Sequence, residues 1–574
     1  MLFVLSLNHN LPEVRSPMSR FFAAIAIVCL AAAGCGTRSS DNSGHSASIP
    51  AEAGPSGNVN ILTYHDNNAR TGENPNEKIL KPSNVNFRQF GKVGFLPVEG
   101  LVDAEPLYVS QLKIRGAKHN VVFVVTEHDL AYAFDADTFQ RLWMVSLLGP
   151  DETPSDDRGC GQVRPEIGVT STPAIDLRSR IMYVVAMSKD SSGKYFQRLH
   201  ALDLTTGAEK NGGPETITAT FPGTAVPNSD GQVVFDPKQY KERTGLLLSN
   251  GVVYTAWASH CDFDPYTGWV IGFDARTLKR SAVLNIEPHG SEGAFWMSGD
   301  GPGTDDSGNI YLLAGNGTFD TTLNSQGFPQ KGDFGNAFLK LKTSRGKLFV
   351  GDYFDMHNTI AESRKDLDLG SGGEVVLPDM KDSSGKTRHL VVGGGKDDTI
   401  YLADRSSMGK FHPDRDDIYQ EIPSTGSEDS NGLGGNTGVY STPAYFNGTL
   451  YFGAVNDFLR AFKFEHARLM TPAASKTAIT FGYPGTTPSI SSDGLRDAIV
   501  WAVESNTPAV LHAYDPNDLA HELYNSNQQR KRDEITGNKF ITPMIAGGKV
   551  FVGTPTGVAV FGLLPGQHPP APTR

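Results

Sequence analysis

The chain has 574 residues, among them 62 glycines, 35 prolines and only four cysteines, and a formal net charge of −12. Such a length can bury a large core, and its glycine and proline content favours short strands joined by tight turns over long helices. The acidic balance argues against a nucleic-acid partner.

The first 34 residues read as an export signal: Arg15 and Arg20 precede an apolar core over 21–33, and Ala32-Ala33-Gly34-Cys35 follows. That ending resembles a bacterial lipobox, which makes Cys35 the expected lipidated residue, while ordinary signal cleavage, an anchoring helix and a start at Met18 stay open. The apolar run is short for a membrane span. Residues 35–58 are rich in Ser, Gly and Pro and are expected to be a flexible tether. The protein is therefore expected outside the cytoplasm, in the periplasm or cell envelope, held to a membrane by its lipid and monomeric.

From about residue 101 to 563 one short pattern recurs about eight times. Thr-Pro opens it, as in Thr172-Pro173, Thr442-Pro443, Thr487-Pro488 and Thr542-Pro543; two apolar strands flank a tight turn, and an Asp-x-x-Thr-like turn often follows. The strand pairs are 121–125 with 131–135, 181–186 with 199–203, 252–257 with 269–274, 310–313 with 337–341, 389–392 with 400–404, 450–454 with 459–464, 499–503 with 510–515, and 550–553 with 558–561. A repeated all-β unit buries both faces only by stacking on its neighbours, which predicts an eight-bladed β-propeller of four-stranded antiparallel blades over residues 59–564. An open edge invites pairing with other chains, and the last copy offers only three strands, so the strand over 91–98 is expected to close the ring. Residues 565–574 are expected to be a disordered tail.

Blade topology sends two kinds of connection to one face. Asp103, Cys160, Arg164, Glu166 and Trp296 precede innermost strands, whereas His128, Cys261, Asp262, Asp264, Asn316, Asp333 and Lys396 lie between second and third strands. Cys160 and Cys261 are the cysteines left after export, and a disulfide between them is expected.

These residues, with the entry Tyr64-His65-Asp66-Asn67-Asn68-Ala69-Arg70-Thr71-Gly72, give the chain a resemblance to the quinoprotein alcohol dehydrogenase superfamily, and above all to bacterial quinone-repeat propellers. The resemblance implies pyrroloquinoline quinone and calcium as cofactors. It implies Trp296 as the floor under the quinone, Lys396 on its carbonyls, Arg164 on a carboxylate, and Asp103 nearby. Asn316, Asp333 and Asp264 are the implied calcium donors, and Asp333 the base that takes the alcohol proton. The chain differs from the family where Cys160-Gly161 replaces an adjacent cysteine pair and where no Glu aligns with a calcium ligand. It has no Cys-x-x-Cys-His for covalent haem.

Two functions follow. One is a quinone-dependent dehydrogenase of an alcohol or sugar, and the other a non-catalytic propeller that binds an envelope protein. Each singled-out residue also has a structural reading: Asn316 and Asp333 as turn residues, Trp296 as core, Lys396 as a solvated charge.

Overall fold

A computed structural model describes residues 59–427, 430–434 and 437–566. The expected signal, the tether with Cys35, and residues 567–574 of the expected tail lie outside the described residues. Among the described residues helix is scarce, with α-helices at Thr359–Ser363 and Arg530–Asp533, and no helix is long and apolar enough to cross a membrane.

All eight expected strand pairs are antiparallel partners. They belong to eight sheets of four or more strands among the described residues. In chain order the sheets cover residues 107–146, 152–216, 247–285, 303–354, 374–422, 444–481, 489–525 and 544–563, apart from strands added from the region before residue 100. Strands such as Ala117–Val125 end in a run, Val121 to Val125, in which every residue is buried. Side chains of both parities are covered, so the period-two alternation of a one-sided strand is lost. The recurring Asp turn has a local cause. Asp135 Oδ1 accepts from the N–H groups of Asp137 and Thr138, and Asp274 Oδ1 does the same for Arg276 and Thr277, which ends the third strand in an Asx turn.

Consecutive sheets share their cores. Val122 and Phe123 of the first sheet pack in one cluster with Met182 and Val184 of the second and with Phe551, Val558 and Val560 of the eighth. Further clusters join second with third, third with fourth and fifth, fifth with sixth, sixth with seventh, and seventh with eighth. Each fully buried Val, Leu, Ile or Phe contributes about 1.5–3 kcal/mol of transfer free energy.

The eighth sheet takes its outer strand from the other end of the chain. Phe90–Pro97 pairs antiparallel with Gly557–Leu563, Phe90 opposite Leu563 and Pro97 opposite Gly557. This is the segment expected to complete that sheet, starting one residue earlier. Phe90 is fully buried and its ring meets those of Trp501, Tyr524 and Phe561.

Ahead of this strand the chain runs as a buried strap. Asn60–Ile61 adds to the first sheet and Glu73–Asn74 to the seventh. Between them the Tyr64 hydroxyl bonds both Thr442 and Thr542, at 3.2 Å each, which are the threonines of two Thr-Pro openings. The buried Arg70 guanidinium donates to the carbonyls of Gly301 (3.1 Å), Pro302 (3.0 Å) and Tyr64 (2.9 Å). The entry segment read from the sequence therefore ties several sheets together.

Candidate functional site

The connections that precede the first strands of the third to eighth sheets, together with one turn inside the fifth, bring side chains into a closed circuit. Lys396 Nζ, on the turn after Leu390–Gly394, lies 2.5 Å from Asp368 Oδ2 and 2.6 Å from Asp366 Oδ1. Asp368 is buried, and burial pushes its carboxyl up to about 6 although Lys396 pulls the other way. Burial alone would discharge Lys396, but the two carboxylates outweigh it and hold the ammonium charged. A Cβ on Gly315 would stand 3.4 Å from Trp296 Cδ1 and 3.7 Å from Asp368 Oδ1, so these two side chains meet at that glycine.

Beyond Trp296 stands Lys241, its Nζ 5.8 Å from the indole centroid. Burial, then the neighbouring Arg243, lower Lys241 to about 8. The Arg243 guanidinium lies 4.6 Å from the centroid of Phe540. Phe540 packs edge-on against Tyr483 at 6.0 Å, and Tyr483 against Tyr440 at 5.6 Å. The circuit closes at Gly438, with φ +101°, where a Cβ would lie 3.1 Å from Tyr440 Cε2 and 2.8 Å from Lys396 Cα; only glycine fits.

The other expected site residues distribute as follows. Asn316 joins the Lys396 corner: its Nδ2 donates to Asp366 Oδ1 at 2.8 Å, while its Oδ1 is buried without a partner. Asp103 borders the circuit through Asn538, whose Nδ2 donates to Asp103 Oδ1 at 2.6 Å. It also stands against Glu127, a buried carboxyl pushed well up by burial and then by Asp103. Arg164 stays outside, 70% exposed and 3.5 Å from Asp157. Glu166 pairs with His128 at 2.6 Å. Cys160 and Cys261 form the expected disulfide, with Cα atoms 5.9 Å apart. Asp262 accepts from the Tyr266 hydroxyl, and Asp262 and Asp264 are both exposed.

Asp333 is buried and turned elsewhere. Its Oδ1 accepts from the His289 N–H at 2.8 Å, its Oδ2 has no partner, and it stands near Glu287, whose carboxyl is pushed well up by burial and then by Asp333. The structure thus gathers Trp296, Lys396, Asn316 and, at the border, Asp103. It does not join Asn316, Asp333 and Asp264. Among the described residues no group of three or more His, Cys, Asp or Glu is arranged to hold a metal ion.

Sequence reasoning missed Lys241, Arg243, Asp366, Asp368 and three aromatic rings. A signal existed for two of the rings: Tyr440 and Phe540 each stand two residues before the Thr of a Thr-Pro opening. Lys241 and Arg243 belong to no motif.

No protein-family model and no curated protein sequence matches the chain. Solved structures do. A quinohemoprotein alcohol dehydrogenase from Pseudomonas putida HK5 is 14% identical, with 90% of this chain and 82% of that one covered at a TM-score of 0.56. The quinohemoprotein alcohol dehydrogenase from Comamonas testosteroni is 15% identical, with 88% and 80% covered at 0.54. At such identity the likeness is one of fold. The chain shares its fold with these two quinohemoprotein alcohol dehydrogenases.

Proposed function

We propose that the eight sheets are the blades of one closed propeller, and that the circuit from Lys396 round to Tyr440 lines its centre and binds a planar, carboxylate-bearing quinone for the oxidation of an alcohol or sugar. The observation that carries this reading is the circuit itself, in which three cations and four aromatic rings follow one another from Lys396 through Trp296, Lys241, Arg243, Phe540 and Tyr483 to Tyr440. A flat cofactor with negative edges needs that combination. Pyrroloquinoline quinone, when bound, would supply a two-electron acceptor.

The residues fit the quinone better than they fit calcium. Trp296 is half-buried and presents a flat ring. Lys396 has three N–H donors and two carboxylate partners, which leaves one donor for a carbonyl oxygen. Calcium takes six to eight oxygens, and Asn316 Oδ1 is the one expected donor left open at this corner. Of the three donors expected for calcium, Asn316 is bonded to Asp366, Asp333 to the His289 N–H, and Asp264 is exposed, so no step is assigned to the metal. Asp333, the proton acceptor that the resemblance implies, has a buried free oxygen and a carboxyl pushed up by burial, but it is bonded to the His289 N–H outside the circuit, so no proton transfer is assigned to it. Its place beside His289 favours a second reading, a non-catalytic propeller that binds its ligand, or an envelope protein, without turning it over.

Reconstitution of the purified protein with quinone, with and without Ca²⁺, tests both readings by absorbance and by dye reduction over a panel of alcohols and sugars. Turnover is expected. Binding without turnover leaves the second reading, and absence of binding removes the first. We also propose that the protein is exported and lipid-anchored through Cys35, which the mass of the N-terminal peptide of the mature protein would test.

A further inference from the structure

Lys241 and Arg243 stand two residues apart ahead of the third sheet, and both are more than nine-tenths buried, at 4% and 7% exposed. Among the described residues neither side chain makes an ion pair or a hydrogen bond, and Arg243 Nη2 is sealed from solvent without an acceptor. Two like charges buried side by side are costly: an unpaired buried ion carries a penalty of several kcal/mol, and each cation raises the penalty of the other. Glu127, Asp103 and Asp262 act on Lys241 through space, after Arg243, and Glu127 is itself shifted toward its neutral form. Packing over Trp296 and Phe540 returns only part of the loss. An anion is the missing partner.

We propose that Lys241 and Arg243 form a binding site for the carboxylate of an organic acid whose body lies against the Trp296 and Phe540 rings. The guanidinium fork matches a carboxylate with two parallel N–H bonds. Flat aromatic walls favour a planar carboxylate over a tetrahedral phosphate or sulfate. The carboxylate has two possible carriers, the quinone of the proposed function or a hydroxy-acid substrate. The site stands on the two cations whichever of them bears it, and with the quinone it deepens that reading.

The test uses the full chain and four probes: pyrroloquinoline quinone, gluconate, glucose and sulfate. Isothermal titration measures affinity, and mass spectrometry of lysine acylation measures protection of Lys241. At least one carboxylate probe should bind and shield Lys241, with glucose and sulfate inert. Lys241→Met and Arg243→Met should each weaken that binding at least tenfold, and Lys241→Arg should restore most of it. Quinone binding alone identifies the cofactor as carrier. Gluconate binding alone identifies a substrate and counts against the quinone reading while upholding this one. Equal quinone affinity in wild type and both Met variants would overturn the site and leave the proposed function intact. Failure of every carboxylate to bind or to shield Lys241 would overturn it too, and the shielding measurement on wild type decides the matter if a variant does not fold.

Discussion

At the scale of single residues, the pair between Lys396 and Asp368 ties the candidate site to stability. Asp368 is buried and its carboxylate relies on one cation 2.5 Å away, so Lys396→Met leaves a buried charge without its partner. The expected cost is about 3 kcal/mol, read as a lower urea midpoint at pH 7. The loss should shrink at pH 5, where Asp368, already raised to about 6, is neutral. An equal loss at both pH values would show that packing, not charge, is at stake. Trp296 and Lys396 were legible in the sequence because each sits in a short stretch with a matching pattern in the family. Arg164 was not, because four residues of separation from Cys160 say nothing about direction, and the side chain turns back over Gly161 to Asp157. Lys241 was invisible for a different reason: a lysine reads as a surface residue until the fold covers it.

At the scale of elements, the pairing of Phe90–Pro97 with Gly557–Leu563 gives the eighth sheet its fourth strand and covers what would otherwise be the edge at Gly557–Leu563. Phe90→Ala removes a fully buried ring that touches three other aromatic side chains, and should cost about 3–5 kcal/mol. A fall in the denaturant midpoint with an unchanged m-value is expected; a loss under 1 kcal/mol would mean that this strand is not part of the cooperative unit. The strand pairs were legible because apolar runs of four to six residues bounded by Gly, Asn and Asp turns carry the strand signal directly. The strap over residues 60–77 was legible only as a motif. Its hydrogen bonds go to carbonyls and threonines hundreds of residues away, which local pattern cannot foretell.

For the whole molecule, the unusual feature is how many carboxyls are pushed up by burial: Asp66 to about 8, Glu73, Asp300 and Glu362 to about 7, Asp398 to about 6. Each binds its proton more tightly folded than unfolded. Its contribution is therefore complete below the unfolded value near 4 and is lost as pH rises through the folded value. His65, lowered to about 4 by burial, and His260, lowered chiefly by burial too, work in the opposite direction below pH 6.5, two groups against the five carboxyls. Thermal stability should fall between pH 5 and pH 8, and a melting temperature that climbs across that interval would contradict the assignment.

The joining of the two chain ends also constrains the order of assembly. The partners Phe90 and Leu563 are 473 positions apart (563 minus 90), and a ribosome releases the first of them long before the second exists. Until the final residues emerge, the early strand must wait unmatched, its N–H and C=O groups open to the wrong neighbour. Chaperone demand should therefore peak late in biosynthesis, and a nascent chain stalled short of residue 557 would be the aggregation-prone species.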